Sequence, residues 1–253
     1  MSESLIVNPV DLIPYGQVVT RQWLLQQGVN RHTLDNAIKS KKLKSITNGV
    51  IGQFGPPLDW QGLAASLNRM NYPVYIGGLA ALGLQGVGHY VQINPTLTLY
   101  SPHTAPTWLG KVEIKEKTTW NRTTRLWDWQ QLELAGSLRK NEIYQGYWLI
   151  ASLEQAVFEA LETVPEKISF EHMDNLMQGL VNLSPKRLDL ILRSCQSIKV
   201  KRLFFFFSDR HSHAWRKKLE PETYDLGKGK RQIAKGGRLD KKYQITVPAE
   251  FYE

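Results

Sequence analysis

The chemistry most legible in this chain lies in a short polar run at helical spacing: Arg31, His32, Thr33, Asn36 and Lys39. An arginine can bond a guanine edge bidentately, and an asparagine can do the same for adenine. Lys39, Lys41, Lys42 and Lys44 follow as a basic run. Such side chains suit phosphate oxygens, which set register on a duplex without reading its sequence. Thr20 and Arg21, just upstream, are further candidates for backbone contact. Together these residues point to double-stranded DNA. The plainer alternative is a small helical cap with a solvated lysine face.

Those side chains need a scaffold, and residues 19–54 spell one out. Thr20 is a suitable N-cap for a helix whose apolar face is Trp23, Leu24 and Leu25. Gly28 ends that helix, since glycine takes the left-handed C′ conformation without steric cost. Asn30 caps a second helix, in which Leu34, Ala37 and Ile38 fall at i, i+3 and i+4 on one buried face. Leu43, Ile46, Val50 and Ile51 then flank Asn48-Gly49, a favoured centre of a type I′ hairpin. Helix, glycine turn, helix and two-stranded wing match a winged helix-turn-helix. Residues 5–14 read as a leading helix from about Asn8, with Pro9 at N1, that would complete a three-helix core. Gly55-Pro56-Pro57 breaks the pattern and is the expected domain boundary.

Charge is uneven along the 253 residues. Six Lys and Arg face three Asp and Glu in residues 1–57, twelve face thirteen in 58–195, and fourteen face seven in 196–253. The excess therefore sits at both ends, where it attracts polyanions. Glycine-spaced basic residues near the C-terminus (Lys228, Lys230, Arg231, Lys235 and Arg238) precede the strand-like Tyr243–Val247. They suggest a hairpin with a basic edge. It is either a phosphate-binding tail or a solvated hairpin protected by its lysines.

Between the two ends, a helix is expected from Asp59 to about Met70, followed by strands at 72–76, 96–100, 112–115 and 123–127. Trp108, Trp120, Trp127 and Trp129 read as core and edge packing rather than a stacking platform. Gly77-Gly78 before a short helix lacks the surrounding pattern of a phosphate-binding loop. Strand 146–151 leads to Ser152, with Gln155 placed to complete a capping box. Helices follow near 153–164, 169–181 and from Ser184-Pro185. Val200–Phe207 is either a helix or a buried strand. A single cysteine, Cys195, excludes a disulfide framework and reads as a small buried hydrophobe. The six histidines show no metal-ligand spacing, so no metal or cofactor is expected. No apolar run reaches membrane-spanning length and no signal peptide is apparent, so a cytoplasmic location without membrane association is expected. There is no nucleophile elbow, HExxH or Walker loop, which argues against an enzyme.

The ordered set Val18-Val19-Thr20-Arg21, Leu25, Gly28-Val29-Asn30-Arg31, Leu34, Leu43 and Gly49-Val50 resembles the opening of the AbiEi antitoxins of type IV toxin–antitoxin systems. Lys42 stands where that pattern usually has glycine. Tyr75–Leu82, Ser152–Ala156, Gly227–Arg231 and Tyr243–Pro248 also look like the family. The resemblance implies repression of the protein's own operon through inverted repeats in its promoter, an arrangement compatible with a dimer on DNA. It further implies neutralisation of a cognate nucleotidyltransferase toxin without a stable complex. The expected architecture is α+β: a winged helix-turn-helix at 1–57, then a larger mixed domain at 58–253 with a small sheet, a helical bundle and a basic C-terminal hairpin. The rival reading is a module that holds a partner protein without sequence-specific DNA binding.

Overall fold

The computed structural model describes residues 7–87, 96–127, 130 and 136–252. Leu5, Ile6 and Trp129 lie outside them. The protein is α+β. Its chain divides into two compact units: Met1–Tyr75 with Asn94–Asn121 and Lys140–Leu149, and Ile76–Ile93 with Arg122–Arg139 and Ile150–Glu253.

The first unit opens with β1 (Val18–Thr20), α1 (Arg21–Gln26), α2 (Arg31–Lys39), β2 (Leu43–Thr47) and β3 (Val50–Gln53). The leading helix expected over 5–14 is absent from the described part. Residues 8–13 form turns, with Asp11 N–H donating to Asn8 and Ile13 N–H to Val10. The third packing element is instead a strand. β1 pairs antiparallel with β3 (Val18↔Gly52, Thr20↔Val50), making a three-stranded sheet in the order β1-β3-β2. Val19 and Val50 of the sheet and Leu24 and Leu34 of the helices are fully buried. Helix α3 (Trp60–Arg69), capped by Asp59, belongs to the same unit. Its Ser66 Oγ accepts the Val18 N–H at 2.8 Å and donates to Gly62 at 2.6 Å. A Cβ on Gly62 would collide with the Gly16 carbonyl.

A five-stranded sheet is built from β4 (Tyr75–Ile76), β5 (Leu97–Ser101), β6 (Thr118–Arg122), β7 (Leu138–Ile143) and β8 (Gly146–Ala151). Its order is β6-β5-β4-β8-β7, with β4 parallel to β8. Two expected strands, 112–115 and 123–127, do not form. Leu97 N–H donates to Lys117 O, which commits β5 to the segment after 112–115. Residues Thr123–Arg125 turn as a 3₁₀ helix and carry Trp127 into the core. Trp108 is also buried, and half-buried Trp120 donates its indole N–H to His103 O at 2.9 Å.

The second unit contains α4 (Gly78–Leu84), α5 (Leu153–Glu162), α6 (Phe170–Gly179), α7 (Pro185–Ser194), α8 (Ile198–Asp209), β9 (Arg238–Asp240) and β10 (Ile245–Val247). Val200–Phe207 is thus helical. Phe204, Phe205 and Phe207 are fully buried, each contributing about 1.5–3 kcal/mol of burial. Phe204 meets Phe158 with ring centroids 4.7 Å apart. Ser152 caps α5 as expected, but Gln155 does not reach back to it. Its amide donates to Glu159 at 2.8 Å and accepts from Ser137 Oγ at 2.6 Å, while the Ser152 N–H goes to Ser137 O. Glu159 also accepts the Gly78 N–H at 2.8 Å. A carboxylate of the protein itself therefore occupies the double-glycine helix start. Cys195 is buried, which pushes its thiol up to about 12.

Candidate nucleic-acid interface

Local caps set the geometry of α1 and α2. Thr20 Oγ1 accepts the Trp23 N–H at 3.1 Å, and Asn30 Oδ1 accepts the His32 N–H at 2.8 Å. Gly28, at φ +87°, closes α1: its N–H goes to Leu25 and the Val29 N–H to Leu24. This is the Schellman pattern. The same pattern closes α2, with Lys41 N–H to Ile38 and Lys42 N–H to Ala37. The left-handed residue there is Lys41, at φ +57°, and not Lys42. The departure from glycine thus falls one residue earlier than the sequence pattern suggests. An L-residue in this conformation costs about 1 kcal/mol.

On α2, Leu34 and Ala37 are buried and Ile38 is half-buried. His32, Asn36 and Lys39 are exposed. Spaced at i, i+4 and i+7, they share one stripe. Arg31 is exposed at its N-terminal edge, and Thr33 is half-buried on the flank. Lys41 and Lys42 are exposed at the corner after the helix. None of Arg31, His32, Asn36, Lys39, Lys41 and Lys42 makes an ion pair with a described residue.

Two of the expected contacts are engaged within the fold. Arg21 pairs with Asp35 at 2.5 Å, joining α1 to α2. Lys44 lies over the Phe54 ring, 5.7 Å from its centroid. Thr20 is occupied as a cap. The wing turn also differs from type I′: Gly49 has φ +75°, whereas Asn48 is not in the positive-φ region. An irregularity between Ser45 and Thr47 takes up the difference in register. The turn is tied to the start of α1 by the Arg21 N–H, which donates to Gly49 O at 2.8 Å.

The second unit carries the basic tail. Lys228, Lys230, Arg231, Lys235 and Arg238 are all exposed. Only Arg238 lies in the hairpin β9–β10; the others precede it, in chain shaped by Gly227, Gly229 and Gly236 at positive φ. Sequence reasoning missed what holds this loop. Arg202 on α8 is buried and donates to Leu226 O at 2.6 Å, Gly229 O at 2.7 Å and Gln244 O at 3.1 Å. A charged residue within an apolar helical run was the available signal. Among the described residues no group of three or more His, Cys, Asp or Glu is placed to hold a metal ion, and no helix is long and apolar enough to cross a membrane.

The two short helices, the three-stranded sheet and the exposed face of α2 make the N-terminal part a winged helix-turn-helix. Residues 94–248 match the family described as "Transcriptional regulator, AbiEi antitoxin, Type IV TA system", and residues 2–93 match the AbiEi antitoxin N-terminal domain. The chain belongs to the AbiEi family of antitoxin transcriptional regulators of type IV toxin–antitoxin systems. A comparison with curated proteins gave no match. Among solved structures, the crystal structure of the RV2827C protein from Mycobacterium tuberculosis aligns with a TM-score of 0.48 at 16% identity, covering 90% of this chain and 85% of that one.

Proposed function

We propose that residues 1–57 bind the promoter of the protein's own operon and that residues 58–253 carry the antitoxin activity against a cognate nucleotidyltransferase toxin. The supporting observation is the α2 stripe: exposed, rigidly capped and without ion-pair partners among the described residues. The N-terminal end of α2 enters the major groove. Arg31, His32, Asn36 and Thr33 contact base edges or phosphates, and Lys39, Lys41 and Lys42 contact backbone. Thr20, Arg21 and Lys44 buttress that surface as well as lying near the phosphates. The five tail cations add phosphate contacts. Inverted repeats would be met by two copies of the chain. Toxin neutralisation proceeds without a stable complex, in the cytoplasm.

A gel-shift titration tests this, with DNA from upstream of the gene against an unrelated fragment of equal length at two salt concentrations. Salt-resistant preference for the upstream fragment is the expected result. Equal, salt-labile binding to both fragments would refute sequence-specific repression. Co-expression with the neighbouring gene tests the antitoxin half: growth arrest by that gene alone, relieved by this chain, is expected.

A further inference from the structure

The unit that carries the winged helix-turn-helix also displays four exposed aromatic side chains: Tyr15, Phe54, Tyr144 and Tyr147, at 55%, 48%, 65% and 37% exposure. Contacts around Gln17 and Gly55 tie together the chain segments that carry them. The Tyr15 ring lies 3.0 Å from where a Cβ on Gly55 would stand, next along the chain from Phe54. Two residues on, the buried Gln17 amide donates to the Tyr144 carbonyl at 3.0 Å. The same amide lies 2.8 Å from where a Cβ on Gly146 would stand, beside Tyr147. Arg69 reinforces the junction, donating to Gln17 Oε1 at 3.2 Å and to the Gln145 carbonyl. The tip of the β7–β8 hairpin is thereby fastened beside the end of the wing.

Two of these rings carry a lysine. Lys44 Nζ lies 5.7 Å from the Phe54 centroid and Lys140 Nζ 4.7 Å from that of Tyr147. Lys140 also meets Glu142 at 3.4 Å, an exposed pair of the kind that contributes little. Ring faces beside ammonium groups are what single strands require, because unpaired bases stack on the rings while phosphates take the cations. A duplex cannot use the rings in this way, since its bases are already stacked. The lysines favour a polyanion over a protein partner. Three of the rings bear phenol hydroxyls, and the Gln145 amide donates to that of Tyr144 at 3.2 Å; such polar groups at the ring edges suit a ribose 2′-OH.

We infer that Tyr15, Phe54, Tyr144 and Tyr147, with Lys140, form a second surface that binds single-stranded RNA. This surface acts independently of duplex binding by α2. The test is fluorescence anisotropy of the full chain with a labelled oligouridine of about 12 nucleotides. Tyr144→Ala with Tyr147→Ala, and separately Phe54→Ala, should each weaken binding about tenfold. Phenylalanine at 144 and 147 should retain the affinity for stacking but lose preference over oligothymidine. The Tyr144 and Tyr147 variants should melt with the wild type and shift the upstream duplex normally, whereas Phe54→Ala, which removes the ring under Lys44, is read on oligouridine alone; Lys140→Gln provides a second probe that leaves every ring in place. Unchanged oligouridine binding by the alanine variants would overturn the proposal. Equal wild-type affinity for oligothymidine would overturn the assignment to RNA, and a parallel loss of duplex binding would overturn the independence of the two surfaces.

Discussion

The two basic ends of the chain use their charge differently. In the winged region Arg31, Lys39, Lys41 and Lys42 are exposed and have no ion-pair partner among the described residues. Much of the larger C-terminal excess is spent inside the fold. Arg202 holds three carbonyls. Arg216 and Lys242 share Asp209 at 2.7 and 2.6 Å, Arg210 pairs with Asp174 at 3.1 Å, and Lys199 donates to Glu162 O at 2.7 Å. Net charge along a sequence therefore overstates what a ligand meets. Partnering decides which cations remain available for phosphate.

The largest effect expected from this contrast is on stability. Arg202→Ala should cost about 3 kcal/mol by removing three charge-assisted hydrogen bonds that hold the loop, measured by urea denaturation. Lysine at 202 should recover little, because it cannot reproduce the planar fork. Unchanged stability with weakened DNA binding would move Arg202 to the ligand-facing group and reverse the comparison.

At the other end the effects should fall on DNA. Arg31→Ala should lose about 1–3 kcal/mol on the upstream duplex by anisotropy titration while its thermal midpoint stays put. Replacing Lys41 and Lys42 should each flatten the salt slope by about 1 unit. Lys41→Gly sharpens the point further. It relieves the left-handed strain and should raise stability by about 1 kcal/mol while losing the same salt dependence as Lys41→Ala. A glycine variant that binds like wild type would remove Lys41 from the interface.

A smaller effect concerns alkaline pH. Burial first, and then the hydrogen bond to Asp209, push the Tyr243 phenol up to about 12. Burial and Asp189 do the same for Tyr224. A raised folded pKa stabilises fully below the unfolded value of about 10, and that contribution disappears as pH rises through the folded value. Stability should therefore fall between about pH 10 and 12, and Tyr243→Phe should reduce the slope. An unchanged slope in the variant would contradict this.

What the sequence revealed and what it hid follow from locality. Caps and turns act within a few residues, so Thr20, Gly28, Asn30, Ser152 and Ser184 were readable. Strand pairing is decided at a distance. Val18–Thr20 resembled only an approach to a helix until β3 was there to pair with it, and 112–115 alternated correctly but lost β5 to the following segment. β7, with the exposed Arg139, Lys140 and Glu142, carried no apolar signal. On the candidate site, helical spacing gave the α2 face, whereas the engagement of Arg21 by Asp35 and of Lys44 by Phe54 required tertiary structure.

The measurement that bears most directly on the central claim is a paired titration. Wild type and Arg31→Ala/Asn36→Ala would each be measured on the upstream duplex and on a scrambled duplex of the same composition. If the α2 stripe reads base edges, the variant loses affinity for the upstream duplex by at least about tenfold and retains its binding to the scrambled one. An equal loss on both duplexes, or no loss on either, would contradict sequence reading by α2.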